Sequence, residues 1–422
     1  MRTKPGYFSI RTSVLGNSVK EEKKLNNKLL SINFIFACII NFGLFGSFFV
    51  HLTTLPIYII DIGGQSADVG IIIGTLSITS ILVRPFIGNK IDIYGSKIFL
   101  FTSLIFITII TILYGLVENI FFLLCLRVIH GIGWGIFTTA NSTFVSDIIP
   151  AGRRGEGISY WGLFSNLSMV IGPVMGIFIL QHTNFFIVSF IASIMCLIAL
   201  ILTLFLNEES KKKYQYERTK VKILDLFKPY VSSEIMFTFL PLLIFCLIHG
   251  AVLAFIPLLA LKINISNPGI FFTIYGIILI IARTFTGKLA DEVGRKKIII
   301  PGFIFSAGAL LLLAFIDILT SSFNILFILM ILSSVLYGFS FACIPPIIMA
   351  LAIDLAPPDK RGISMAAFGM IMDLGIGAGA FVFGIILHIS SFFTIFFICA
   401  LINIIGIYMT HKIKYNTNPG LL

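Results

Sequence analysis

RPFIGNKIDIYGSKI, residues 84–98, returns later in the chain as RTFTGKLADEVGRKKI, residues 283–298. Arg84, Gly88, Asp92, Gly95 and Lys97 meet Arg283, Gly287, Asp291, Gly294 and Lys296 at a constant separation of 199. A second match, DIIPAGRRG at 147–155 against DLAPPDKRG at 354–362, holds at 207 and carries on to Gly162 and Gly369. Self-similarity in register at two places makes the chain two copies of one unit.

Outward from these loops the sequence is apolar. Of 422 residues, 58% are hydrophobic and 12% charged, and the apolar share is roughly what twelve membrane spans of about 20 residues need. A soluble domain carries about twice that charge, and a barrel would show short alternating segments instead of long runs. Polar breaks place the runs near 29–60, 67–88, 98–117, 120–146, 157–180, 185–206, 234–261, 269–290, 298–316, 323–353, 362–388 and 390–411. The expected fold is therefore an all-α membrane protein of twelve transmembrane helices in two six-helix halves, 29–206 and 234–411. A polar tail, 1–28, precedes them, a hydrophilic linker, 207–233, joins them, and a short tail, 412–422, follows. The first run is too long for a signal-peptide core and has no clear cleavage site, so it is read as a span.

With the N-terminus inside, 26 of the 30 Lys and Arg residues fall in the tails, the linker and the loops of one side; Lys262 alone falls outside, and Arg84, Arg127 and Arg283 lie within spans. This bias predicts both termini in the cytoplasm of a multi-pass protein of the cell (plasma or inner) membrane. The net charge of +11 is thus spent on topology, and no exposed basic domain offers a nucleic-acid surface. The six cysteines, Cys38, Cys125, Cys196, Cys246, Cys343 and Cys399, sit inside apolar runs without metal-ligand spacing. No metal and no cofactor is expected.

The paired loops resemble the glycine–aspartate–glycine–basic loop of the major facilitator superfamily, and the resemblance covers nearly the whole chain. It implies gating by Arg84, Gly88, Asp92, Gly95 and Asp147 in one half and by Arg283, Gly287, Asp291, Gly294 and Arg295 in the other. Gly88 and Gly95 would let two helices turn tightly, and Asp92 would accept bonds from the amides of a neighbouring helix start. The first copy has Ile93 and Ser96 where the family usually has arginines; Arg84, Lys97 and Asp147 are the residues available to compensate.

LRVIHGIGWGIFTTAN, 126–141, resembles the superfamily's fourth-span motif. Helical spacing puts Arg127, His130, Trp134, Thr138 and Asn141 on one stripe, and a cation at membrane depth argues for a cavity wall, the alternative being an arginine that snorkels to the interface. SMVIGPVMG, 168–176, resembles the antiporter signature of span five, with Gly172, Pro173 and Gly176 in place. A kink and close helix contact there would seal the path and favour export; a kinked helix without directional meaning is the alternative.

No GxxxxGK[ST] motif is present, which leaves an ion gradient as the drive. Asp373 is the one acidic residue near the middle of a span, with Gly369, Gly377 and Ala380 on its face. A buried carboxylate can take and release a proton as a cavity alternates, or it can be paired permanently to a cation such as Arg127. His249 and His51 are further candidates for coupling, with Arg127. Asn41, Arg127, His130, Trp134, Asn141, His249 and Asp373 form the expected substrate set; Trp161, Asn166, Tyr275 and Tyr337 are additional polar or aromatic tips. The expected function is a secondary transporter, not an enzyme, exporting a small amphipathic or organic-anion-like molecule against protons. An importer of the same fold and a multispan enzyme on lipid-linked substrates are the competing classes, the latter lacking an acidic or His/Asp/Glu constellation. Its partners would be that molecule, protons and the bilayer, with the monomer as the working unit.

Overall fold

The computed structural model describes residues 29–150, 153–207, 233–319, 322–355 and 361–413, and no strand occurs among them. The tail 1–28 and most of the linker and C-terminal tail lie outside the described residues. The helices are α1 (Ile32–Asp61), α2 (Ser66–Tyr94), α3 (Ser96–Tyr114), α4 (Ile120–Ile148), α5 (Arg154–His182), α6 (Phe185–Leu204), α7 (Ser233–Lys262), α8 (Gly269–Val293), α9 (Lys296–Ile318), α10 (Phe323–Cys343), α11 (Pro345–Leu355), α12 (Arg361–His388) and α13 (Phe392–Lys412). They supply twelve segments long and apolar enough to cross a membrane, with α10 and α11 making one of them. The chain is thus a multi-pass membrane protein.

Local chemistry starts several of these helices. The side chains of Ser31, Asn119, Asn184 and Ser391 accept from the first free amides of α1, α4, α6 and α13. The tenth run, read as one span, is broken at Ile344, because Pro345 and Pro346 bring no amide to the ladder. The paired loops are also tighter than expected. Gly95 and Gly294, at φ of 87° and 97°, make the turns, with a backbone that a residue bearing Cβ rarely adopts. Gly88 and Gly287 instead lie inside α2 and α8, where an added Cβ would meet nothing within 4 Å. The expectation that Gly88 shapes the turn is corrected: the helix runs on to Tyr94.

Each half repeats the same pairings. α1 packs on α5 and α6, α3 on α4 and α6, and α2 on α4; in the second half α7 packs on α12 and α13, α9 on α10 and α13, and α8 on α10. A lysine ties each half together at the end of the molecule that carries the linker. Lys97 donates to the carbonyls of Leu204 and Leu206, at and just past the end of α6. Lys296 donates to that of Ile413, past the end of α13, and in both places a cation meets carbonyls that the helix leaves open.

Between the halves, α2 packs along α12, α5 along α8, and α1 against α7. The apolar core shows how these contacts are distributed. Val50–Ile59 of α1, Val69–Ile73 of α2 and Phe185–Ala192 of α6, all toward the end far from the linker, share one buried cluster with the second half. At the linker side the first half keeps a separate cluster of its own, with Phe34, Leu44, Leu100, Phe137 and Phe144. The two halves share an apolar core on the far side and are parted, as far as apolar packing goes, on the linker side.

Candidate functional site

Two seams hold the halves together. In the α2–α12 seam the backbones touch: a Cβ built on Gly70 would lie 2.4 Å from the Ala380 carbonyl oxygen, and one on Gly74 2.6 Å from that of Gly377. Only hydrogen fits between them. Toward the linker side the seam becomes polar, where the Ser80 hydroxyl donates to Asp373 Oδ2 at 3.1 Å and Arg84 pairs with the same oxygen at 2.5 Å. These two side chains are 16% and 17% exposed, so the pair bridges the halves at the edge of the parted region.

The α5–α8 seam lies opposite. Gly269 backs onto Pro173, Gly276 onto Val170, and the Thr273 hydroxyl donates to the Val170 carbonyl at 2.6 Å. Asn267 donates to the Val174 carbonyl and Gln181 to that of Ser266. Within the first half, Gly172 and Gly176 seat α5 on α1, against Phe49, Val50 and Thr54. Gly375 and Gly379 seat α12 on α7 in the same way, against Cys246 and Leu247. The close contact read from span five therefore has a counterpart in span eleven.

The α4 stripe faces inward within its own half. Arg127, at 1% exposure, donates from Nε to the Ile72 carbonyl at 3.2 Å, and its Nη1 has no partner among the described residues. His130 Nδ1 lies 2.9 Å from the Tyr114 hydroxyl, Trp134 stacks on Phe48 with ring centres 4.4 Å apart, and Asn141 donates to Asn41 at 3.1 Å. Asn41 in turn donates to the Trp161 carbonyl. Arg127, His130, Trp134, Asn141 and Asn41 are buried, so the expected cavity wall is a polar and aromatic spine that ties α4 to α2 at Ile72, to α3 at Tyr114 and to α1 at Phe48 and Asn41. Neither does Arg127 pair with Asp373, whose partner is Arg84.

His51 is buried beside this spine; its Nδ1 donates to the Ser47 carbonyl at 3.0 Å, which leaves Nε2 of the neutral ring to accept from Ser189 at 3.2 Å. His249 belongs to the second half, where it lies 2.9 Å from the Tyr337 hydroxyl among Phe245, Tyr275 and Phe341. The structure thus separates the expected coupling set into three places. Among the gating residues, Arg295 pairs with Asp354 at 2.6 Å. Asp147 ends α4, while the side chains of Asp92 and Asp291 lie outside the described structure. Arg283 is exposed on α8.

Ser80 and the glycine ladder of α2 were not singled out in the sequence. The ladder was legible as a small residue every fourth position, Gly70 and Gly74, matched by Gly377 and Gly384. On the far side a cleft of about 460 Å³ lies across the fused ends, lined by Ile60, Asp61, Ser66, Leu261, Lys262 and Phe392 among others. Lys262 there is held by Asp317 at 2.5 Å.

Comparison with known proteins agrees with this architecture. A family model described as Major Facilitator Superfamily matches residues 37–269 and 259–418. The staphylopine export protein of Staphylococcus aureus is 26% identical over 375 residues, covering 85% of this chain and 90% of that protein. The multidrug resistance protein MdtG of Citrobacter koseri is 26% identical over 287 residues, covering 64% and 69%. Among solved structures, the nucleoside transporter NupG superposes with a TM-score of 0.73 at 15% identity, covering 92% of this chain and all of that one. A bacterial homologue of the human lysosomal transporter Spinster gives 0.68 at 14%, covering 92% and 99%.

Proposed function

The chain belongs to the major facilitator superfamily, and from that membership and the seam geometry we propose that this transporter exports a small amphipathic or organic-anion-like molecule in exchange for protons. The observation that carries the proton coupling is the Arg84–Asp373 pair. It joins the two halves at 2.5 Å through the one mid-span carboxylate, so adding a proton removes a tie between bodies that must move apart.

The positive-inside bias puts the linker side in the cytoplasm of a cell-membrane protein. The described conformation is then open inward and sealed outward. Asp373, having given its proton to the cytoplasm, is held as a carboxylate by Arg84. In the opposite conformation it takes a proton from outside, Arg84 is released, and the halves swing back. Relatives named for export and for multidrug resistance support the outward direction, as does the glycine contact of α5 on α1. The working unit is the monomer, since both seams close within one chain, and no catalytic step is invoked.

In proteoliposomes, Asp373→Asn protein is expected to bind substrate while a pH gradient no longer drives net movement. Uphill transport by this variant at the wild-type rate would sink the coupling role. The substrate is found first by comparing metabolites in cells with and without the protein, where accumulation in the deletion marks export and depletion marks uptake. Cysteines at Gly63 and Lys90 test the orientation. An impermeant thiol reagent added to intact cells should reach only the first.

A further inference from the structure

The two seams are images of each other residue by residue. Adding 199 to an α2 position gives its α8 counterpart, and subtracting 207 from an α12 position gives its α5 counterpart. Gly70 on Ala380 becomes Gly269 on Pro173; Gly74 on Gly377 becomes Thr273 on Val170; Ser77 on Gly377 becomes Gly276 on Val170. All three translated contacts are present. The next contacts in this series are Ser80 and Arg84 with Asp373, and their images are Leu279 and Arg283 with Asn166.

That image lacks its carboxylate. Asn166 stands where the first seam has the carboxylate, and its Nδ2 is buried without a hydrogen-bond partner. Arg283 carries no hydrogen bond or ion pair to any described residue and is exposed, two turns along α8 from Gly276 and on the same face that meets α5 there. The space differs too. A Cβ built on Gly369 would lie 3.4 Å from Arg84 Nη1, whereas at its counterpart Gly162 nothing stands within 4 Å. A guanidinium and an amide nitrogen, both donors, thus stand where the first seam has its ion pair, with no anion between them.

We propose that Arg283 and Asn166 bind the anionic group of the transported molecule, a carboxylate on an apolar body, at the place that Asp373 occupies in the other seam. The fork of Arg283 receives the carboxylate and Asn166 Nδ2 gives it a further bond. The apolar part lies along Leu163 and Leu167 of α5, both exposed on the side of the helix that farther out meets α8. This rests on the transport reading and deepens it, giving the protein one internal and one exchangeable anion across its two seams.

The test uses full-length protein in nanodiscs, with phenylacetate and its neutral isostere phenylacetamide titrated calorimetrically at pH 7. Wild-type protein should prefer the carboxylate by about tenfold or more, the order of one charge-assisted contact. Arg283→Gln should lose that preference and Arg283→Lys keep part of it. Asn166→Asp is the sharper variant, because it rebuilds the first seam's pair in the second and should exclude the probe while leaving the protein at least as heat-resistant. A wild type that does not prefer phenylacetate, or an Asn166→Asp protein that prefers it as strongly as wild type, overturns the site. Binding is read at equilibrium without a gradient, so such a failure leaves the Asp373 coupling to stand or fall by the proteoliposome assay.

Discussion

The α2–α12 and α5–α8 seams have the same contacts and different chemistry. At their far ends both are backbone against backbone, with Gly70 and Gly269 in corresponding places; toward the linker one is closed by Arg84 and Asp373 and the other pairs Arg283 with no described residue. In the proposed cycle the far ends serve as pivots, and there the two copies keep the same contacts. Nearer the parted region the requirement is chemical, and there the copies diverged.

The largest expected effect is at the pivots. Gly70→Leu and Gly269→Leu each drive a side chain into backbone at about the same separation, 2.4 Å and 2.6 Å for the first atom. Backbone cannot rotate away as a flexible side chain can. Both variants should lose transport, and far-side cysteines should become more reactive as the seam is wedged open, at a cost in stability of about 1–3 kcal/mol. If only one substitution does this, the seams are not equivalent hinges.

A middle effect separates the chemistry. Arg84→Gln and Asp373→Asn each leave a partly buried group unmatched, whereas the double variant leaves two neutral ones. Thermal unfolding should give a coupling of about 1–3 kcal/mol between them, against none for Arg283→Gln combined with Asn166→Ala. Additive losses in the first pair would mean that the ion pair adds nothing to the seam. The smallest effect is at the lysines: Lys97→Met and Lys296→Met should each cost about 0.3–1 kcal/mol, the scale of a cation at a helix C-terminus. Similar losses in the two halves would extend the equivalence to the ends of α6 and α13; a loss in one alone would limit it.

Run length and the two repeats sufficed to place twelve spans in two halves, because apolar length and register are properties of sequence. Asp373 could be found by its solitude. Its partner could not, since Arg84 lies 289 positions away and the choice among the intramembrane arginines depends on which helices become neighbours. The α4 stripe shows the same limit: spacing puts Arg127, His130 and Trp134 on a common face, but it does not say whether that face meets a cavity or, as here, α2, α3 and α1. The break at Ile344 was open to reading in Pro345–Pro346. Asn166 was open to reading as well, as the residue 207 positions before Asp373.

The lysine ties have a consequence for how the molecule can be made. Because Lys97, at the start of α3, fastens the end of α6, and Lys296, at the start of α9, fastens the end of α13, each half is tied to itself at the linker end. Among the described residues, recognition between the halves rests on glycine faces, a shared apolar core, a few hydrogen bonds and one ion pair, none of which involves the stretch between residues 207 and 233. Two separately translated polypeptides, divided within that stretch and inserted into one membrane, are therefore expected to find each other and work as a heterodimer.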